Sequence, residues 1–428
     1  MNQQTNPTLI LGGGFTGLFT AMHLSHQKYS QPIILIDQKE RFTFQPLLYE
    51  FFSEEMDANQ VCPRYEKLLE GSNVTFVQDR VEGIDLHQRQ VSLASGLNYT
   101  YNYLVLALGS VVNYFGIEGA RENSYPFRTR GNVIALEKHL RNCLQRASQT
   151  TDAEERRRLL TVVFMGAGPS GVEMAATLGD LLPNWYRELG GDPQDIRIVL
   201  LEKMPELLRG DINNDVRDTA RKSLEQGGVE LRFEHTVTGV YPDRIEFKHN
   251  DQVDAIPTVT VIWTAGVCTH PLIRALPIPE EYCDRLGRIQ VTPTLQLPSF
   301  PEVFAGGDCA AEMVNCLPPL AQVAYQEGAA IASNLKAISQ GKQPSPAQVK
   351  LRGSLLKLGL NESAANLFNQ FEVTGKAGHL IRQATYLKLL PTPIHNCKAT
   401  TEWLIDEIFQ RHSGSGSLVS SGAAKGQS

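Results

Sequence analysis

The sequence predicts an α/β fold built on two doubly wound units, followed by a smaller C-terminal region. Three observations predict it. A short apolar run, a glycine loop, a helix start and a second apolar run ending in an acid occur twice in the chain. The apolar runs are short and continuous, as strands buried on both faces of a parallel sheet must be. The chain has 428 residues, 42% hydrophobic and 20% charged, enough for about two to three domains with sizeable cores.

The first unit opens with the apolar run Thr8–Leu11, then Gly12-Gly13-Gly14-Phe15-Thr16-Gly17, a helix start over Leu18–His23, and the run Ile33–Asp37. The second has Thr161–Phe164, the loop Gly166-Ala167-Gly168-Pro169-Ser170-Gly171, a helix from Val172, and Ile198–Glu202. Val74–Val77, Tyr103–Leu108, Val229–Phe233, Thr258–Trp263 and Val303–Ala305 are further strand candidates. Residues 126–160 read as helical and charge-rich, a solvated face. Beyond residue 345 the pattern changes. Val349–Leu360 and Phe368–Val373 read as strands or a hairpin, and Lys376–Leu390 and Thr400–Gln410 as helices. Residues 412–428, dominated by Ser, Gly and Ala, read as a disordered tail.

Composition excludes several classes. A net charge of -6 argues against a nucleic-acid coat. The seven cysteines (62, 143, 268, 283, 309, 316 and 397) contain no C-x-x-C pair, which argues against a disulfide framework and a zinc ribbon. No metal-ligand pattern and no Ser-His-Asp arrangement is legible. No run approaches the ~18–20 apolar residues of a membrane span, and the polar, uncharged N-terminus resembles no targeting peptide. Charge is uneven: residues 1–349 carry a net -10 and residues 350–411 a net +3.

A G-x-G-x-x-G loop between a buried strand and a helix is a phosphate-binding device. Its first glycine makes the turn, the second lets backbone approach a pyrophosphate, and the third lets helix pack on strand. The acid ending the next strand can accept from ribose hydroxyls. Asp37 lies 20 residues after Gly17, and Glu202 lies 31 after Gly171, the excess fitting a longer helix and loop. Two such loops predict two nucleotides. Two further segments have the same strand-then-small-residue form: Tyr103–Gly109, containing Ala107, and Phe304-Ala305-Gly306-Gly307-Asp308.

Together these motifs resemble the two-dinucleotide-binding-domain flavoproteins. That resemblance implies two Rossmann-like domains, one for FAD and one for NAD(P)H. It implies that Gly12, Gly13, Gly14, Phe15, Gly17, Asp37, Ala107, Gly109, Gly307 and Asp308 hold FAD, and that Gly166, Gly168, Gly171 and Glu202 hold NADH or NADPH. It implies an FAD domain over 1–125 and 290–345, an NAD(P)H domain over 126–289 and a C-terminal region over 346–411. The absence of cysteine from 38–61 sets the disulfide reductases of that superfamily aside. Nothing local supports the redox cysteines that a sulfide:quinone reductase needs.

Within the superfamily the chain resembles type II NAD(P)H:quinone oxidoreductases. Phe42–Glu50, which includes Gln45 and Pro46, looks like their segment beside the flavin. Gly168–Glu173 looks like the second loop with its acid. Trp263-Thr264-Ala265-Gly266 looks like the nicotinamide wall, and Ala321–Gly328 like the quinone-side helix with Gln322 and Gln326 on one face. Gly375-Lys376 looks like the segment carrying a lysine near flavin and acid. Phe44 through Glu55, Asp57 and Cys62-Pro63 look most like the plant and cyanobacterial branch, which includes demethylphylloquinone reductases. The resemblance implies Glu173, Gln322, Gln326 and Lys376 as catalytic and a lipid-soluble quinone as acceptor. By residue type alone, Glu173 is a helix-surface acid, the glutamines exposed polars and Lys376 a surface lysine.

A quinone substrate without a spanning segment implies a peripheral protein on the cytoplasmic side of a membrane, thylakoid or plasma membrane in a cyanobacterium. The C-terminal region is the membrane-associating candidate, through Tyr386–Leu390 and Trp403–Phe409. A second copy of the chain is left open as a partner. Two other classes stay open: a soluble reductase of a small iron–sulfur protein, and a nicotinamide-binding flavoprotein resembling apoptosis-inducing factor.

Overall fold

The computed structural model describes residues 6–210, 212–367 and 371–408. Two parallel sheets dominate. The first has six strands in the order Gln296–Leu297, Phe300–Ala305, Tyr103–Leu106, Thr8–Leu11, Ile33–Asp37, Val74–Gln78. All its pairings are parallel except the edge between 296–297 and 300–305. Its central strand, Thr8–Leu11, is wholly buried, and Thr8 registers with Ile33 on one side and Tyr103 on the other. The second sheet repeats the arrangement: Val229–Arg232, Arg197–Leu201, Thr161–Met165, Thr260–Trp263, Tyr125–Pro126. Thr8–Leu11 lies between Ile33–Asp37 and Tyr103–Leu106, and Thr161–Met165, the strand before the second loop, lies likewise between Arg197–Leu201 and Thr260–Trp263. The chain therefore leaves each of these strands at the point where strand order reverses, which is where such sheets bind ligands.

The loop helices run from Phe15 to His26 and from Pro169 to Glu188. The first packs along the helix Ala321–Ser339. Thr16 and Thr20 donate to the carbonyls of Ala324 and Gly328 at 3.1 Å each. A Cβ on Gly328 would lie 2.6 Å from the Thr16 carbonyl oxygen, so only glycine permits this approach. The charge-rich stretch becomes two helices, Arg130–Gln149 and Ala153–Leu160, each opened by a side-chain cap from Thr129 or Asp152.

Two antiparallel three-stranded sheets, over 81–100 and 236–257, were not expected from sequence. Their strands mix charged and apolar residues, as Arg244–His249 does, so they lack the continuous apolar signature. The C-terminal region forms another: Gly353–Lys357, Ser363–Leu367 and Phe371–Val373. Its middle strand, Ser-Ala-Ala-Asn-Leu, has little β propensity. Helices Gly375–Lys388 and Pro393–Ile408 complete the region.

The apolar stripe expected to face a membrane is partly internal. Leu387, Leu390 and Trp403 are buried, and the Tyr386 ring stands 5.9 Å from that of Phe44. Among the described residues of these helices, the large apolar side chains that are exposed are Leu380, Ile394, Leu404 and Ile405. Phe409, Arg411 and the 412–428 segment lie outside the described residues. No helix among the described residues is long and apolar enough to cross a membrane.

Candidate active site

The two glycine loops match in detail. The Gly12 amide donates to the Ile36 carbonyl and the Gly166 amide to that of Leu201, both at 2.8 Å. A Cβ on Gly17 would overlap the Gly12 carbonyl oxygen, and one on Gly171 that of Gly166. A Cβ on Gly14 or Gly168 would meet nothing within 4 Å. Those two residues are also the N-caps of their helices, and neither helix has a side-chain cap. Each helix thus presents uncapped N–H groups beside an open approach, the requirement for a pyrophosphate.

The acids clamp the loops. Asp37 Oδ2 accepts from the Gly13 amide and Glu202 Oε2 from the Ala167 amide, both at 2.7 Å. Their second oxygens accept from Lys39 and Met204 amides. Both carboxylates lie at the mouths of the loops.

A cavity of about 380 Å³ opens at the first loop. Gly12, Gly14, Phe15, Asp37, Gln45, Ala107, Gly109, Gly307 and Asp308 line it. Gly13 and Gly17 instead serve packing: the space beside Gly13 holds the Tyr65 hydroxyl, which donates to the Gly13 carbonyl at 2.7 Å. Pro46 contributes its carbonyl, which accepts from Arg382 Nη2 at 2.7 Å. Three cations absent from the sequence reading, Lys39, Arg41 and Arg128, also line the cavity.

Asp308 does not open a long helix. It sits in one 3-10 turn, Gly307–Cys309, followed by the strand Ala310–Glu312. Ser110 donates to its Oδ2 at 2.7 Å, and Arg128 lies 3.9 Å away. Beneath it, Glu327 accepts from the Gly307 amide at 2.6 Å, and burial raises its pKa to about 7. An uncapped helix N-terminus, flanking cations and two carboxylates able to accept from hydroxyls fit a dinucleotide such as FAD.

At the second loop, Gly166 adopts φ +106° and closes against Ala265. Phe115, itself at φ +53°, lies on Gly266. Trp263 is buried and donates to the Asn113 carbonyl at 3.0 Å.

The glutamines share a helix face, but their amides are engaged. Gln322 Nε2 donates to the Gly353 carbonyl while its Oε1 accepts from the Arg352 amide, both at 3.0 Å. Gln326 Nε2 donates to the Lys350 carbonyl at 3.0 Å and to the Gln322 carbonyl, and its Oε1 accepts from the Lys350 amide at 3.1 Å. The two side chains mimic a strand and bind residues 350–353 to the helix. Ala321 and Ala324, on the same helix, line the cavity.

Lys376 is exposed in the first turn of its helix. The lysine placed among acids is Lys357. It is fully buried, with Nζ 2.9 Å from both Glu55 oxygens and 3.3 Å from Glu50 Oε1. Arg382, also fully buried, bonds Glu50 Oε1 through Nη1 and lies 3.6 Å from Glu173 Oε1. Glu173 Oε1 accepts from the Lys357 amide at 2.9 Å. Burial pushes the Glu173 carboxyl up to about 7, opposed by Arg382. Burial would raise Glu50 too, but Arg382 and Lys357 hold it at about 2. Glu55 is raised by burial, against the pull of Lys357.

Sequence reasoning missed Glu50, Glu55, Lys357 and Arg382. The available signal was a lone charge between large apolar neighbours, as in Leu47-Leu48-Tyr49-Glu50-Phe51-Phe52 and Leu355-Leu356-Lys357-Leu358. Such a charge must find a buried partner.

These features define a flavin- and nicotinamide-type fold, and comparison with known proteins agrees. Residues 6–328 match the pyridine nucleotide-disulphide oxidoreductase family model, and the chain belongs to that family. It is 32% identical over 406 residues to demethylphylloquinone reductase of Synechocystis sp., covering 92% of this chain and 95% of the relative. It is 31% identical over 412 residues to type II NADH:quinone oxidoreductase of Mycobacterium tuberculosis, covering 91% and 87%. Its fold matches NDH2 from Plasmodium falciparum in complex with NADH at TM-score 0.85 and 18% identity, over 96% of this chain and 99% of that one.

Proposed function

We propose that the chain is an FAD-dependent oxidoreductase that takes a hydride from NAD(P)H and passes two electrons to a lipid-soluble quinone. The carrying observation is the pair of matched glycine loops at the switch points of two sheets, one opening on the cavity, read with the similarity to quinone reductases. Gly12, Gly14, Asp37, Arg128 and Asp308 would hold FAD, whose isoalloxazine supplies the two-electron chemistry when bound. Gly166, Gly168, Ala265, Gly266 and Glu202 would hold the coenzyme. Glu202 favours NADH, because a carboxylate at the ribose repels a 2′-phosphate; the exposed Lys203 beside it works the other way.

Glu173 is assigned to the proton side of the reaction. Gln322 and Gln326 support the acceptor wall by fixing residues 350–353, and Lys357 rather than Lys376 is taken as the lysine near the acid. The similarity to demethylphylloquinone reductase favours a naphthoquinone. Leu380, Ile394, Leu404 and Ile405 are the proposed membrane contact, with the net +3 of residues 350–411 drawn to anionic headgroups. The test is a panel of naphthoquinones and benzoquinones with NADH and with NADPH on FAD-loaded protein. Saturable naphthoquinone reduction is expected. Turnover with an iron–sulfur protein alone would overturn the reading.

A further inference from the structure

Three carboxylates stand at or behind the first cavity, and they differ in what compensates them. Asp37 accepts from two backbone amides, those of Gly13 and Lys39. Asp308 accepts from the Ser110 hydroxyl and has Arg128 at 3.9 Å. Glu327 is 8% exposed. It accepts from the Gly307 amide at 2.6 Å, and among the described residues no cation pairs with it. Arg288, the cation that acts on it, is itself paired with Asp284 at 2.7 Å.

The Glu327 carboxyl lies against the glycine cradle. A Cβ on Gly306 would come 3.3 Å from Glu327 Oε2, and one on Gly307 would come 2.6 Å from Thr16 Oγ1. Thr16, Gly306 and Gly307 line the cavity from its inner side. On the other side of the cradle Glu327 lines a second cavity of about 10 Å³, on the scale of one water molecule, with Arg288, Glu312, Leu317 and Pro319. Glu327 is thus one layer of peptide from the first cavity and within reach of water from behind.

FAD carries two negative charges on its pyrophosphate. Filling the cavity would remove water from one side of the cradle and bring those charges toward Glu327. Both changes disfavour a carboxylate that has no cation. The groups that face Glu327 do not offset them. Asp308 and Glu312 add negative charge, and Arg288 is neutralised by Asp284. Cys309, whose thiol burial pushes up to about 12, stays protonated. The first loop helix brings Thr16 and Thr20, which are uncharged. Lys39, Arg41 and Arg128 line the first cavity, which Glu327 does not.

We propose that Glu327 takes up one proton from water as FAD binds, so that the loaded protein carries a neutral carboxyl beneath Gly307. This rests on the FAD reading of the first loop. One O–H bond forms at Glu327 and no electrons move. The carbonyl oxygen of the neutral group still accepts from the Gly307 amide, so the cradle keeps its shape. Glu327 is a positioning residue, since it touches the cradle and not the reacting atoms. Burial holds its pKa up at about 7. Below that pH the proton is already in place. Above it, each pH unit should weaken FAD binding about tenfold, until the higher pKa of the loaded form is reached.

The test follows FAD release from the full-length, flavin-loaded protein on dilution between about pH 6 and about pH 9, read by the fluorescence of free flavin. Wild type should bind with constant affinity below about pH 7 and lose about tenfold per pH unit above it. Glu327→Gln keeps an acceptor for the Gly307 amide but has no titrating group, so its affinity should be flat with pH. Glu312→Gln should keep the wild-type slope. A flat wild-type profile, read without any variant, overturns the proposal, as does a slope that survives Glu327→Gln or vanishes in Glu312→Gln. Infrared spectroscopy supplies the second arm. At about pH 8, where a group with a pKa of about 7 is mostly ionised, loaded wild type minus loaded Glu327→Gln should show one protonated-carboxyl C=O band that shifts in D₂O. Absence of that band also overturns the proposal. Protein that holds no flavin at any pH refutes the FAD reading of the loop, whereas flavin held equally at every pH refutes the proton alone.

Discussion

Gly14 and Gly168 face open space, while Gly17 and Gly171 face backbone oxygens of their own loops. Substitutions at these positions should therefore fail in different ways. Gly14→Val projects into the cavity without disturbing the protein, so the variant should fold and purify colourless, with coenzyme binding to the second loop unaffected. Gly168→Val should retain FAD but weaken NADH binding at least tenfold, measured by titration of the oxidised protein. Gly17→Ala or Gly171→Ala drives a methyl group into a carbonyl and should lower the yield of folded protein. A yellow, fully loaded Gly14→Val protein would remove the first loop from the FAD site. Glu173 provides a second test at this scale. Its folded pKa of about 7 lies above the ordinary glutamate value of 4.5, so the folded state binds the extra proton. Its contribution is therefore full below about pH 4.5 and is lost as pH rises to about 7, by up to about 3 kcal/mol. Glu50 behaves oppositely: its folded pKa of about 2 gives stability that is present above pH 4.5 and lost in acid. Urea melts of wild type and Glu173→Gln at several pH values should diverge across 4.5–7 and run parallel above it.

At the level of elements, sequence and structure agree where a pattern is local. Thr8–Leu11 and Thr161–Phe164 are recognisable because a strand buried on both faces must be apolar throughout. The glycine loops are recognisable because their geometry depends on residues within six positions. The strand Ser363–Leu367 is not, since it forms only through pairing with Gly353–Lys357 and Phe371–Val373. Nor is the charge cluster: Lys357 lies 302 residues from Glu55, and no spacing rule joins them. The glutamines show the same limit. Their side of the helix was legible from the four-residue spacing, but not the strand segment that occupies it. Gln326→Leu deletes the amide that holds Lys350 through its carbonyl and its N–H, and each lost bond costs about 1 kcal/mol. It should lower Tm and expose residues 350–353 to hydrogen exchange. Reduction by NADH should change little. If exchange over 350–353 is unchanged, the segment is held by something else.

On the scale of the whole molecule, charge and apolar surface divide between the body and the C-terminal region. Residues 1–349 carry a net -10 and residues 350–411 a net +3. Because Trp403 is buried and Ile394 is 83% exposed, the two should respond differently to substitution. Ile394→Ser with Leu404→Ser and Ile405→Ser should abolish sedimentation with anionic liposomes while FAD content and Tm stay near wild type. Trp403→Ser should lower Tm by opening a cavity, at a cost of about 3–5 kcal/mol. Liposome binding that survives the triple substitution would place the membrane contact elsewhere.

The buried ion cluster also bears on the order in which the polypeptide can complete itself. Glu50, Glu55 and Glu173 leave the ribosome long before Lys357 and Arg382, the cations that pair with them. Breaking a buried pair costs about 3–5 kcal/mol. A nascent chain halted at residue 345 should accordingly keep the Leu48–Phe52 helix undocked, while one extended past residue 400 should close. Limited proteolysis of ribosome-bound chains of the two lengths would show it as cleavage near Glu50 in the shorter chain alone. Equal protection in both would mean that closure does not wait for the cations. Cleavage in the shorter chain alone would make final closure a late event in synthesis, with the cradle around the first loop accessible to an incoming flavin until the last tenth of the polypeptide has emerged.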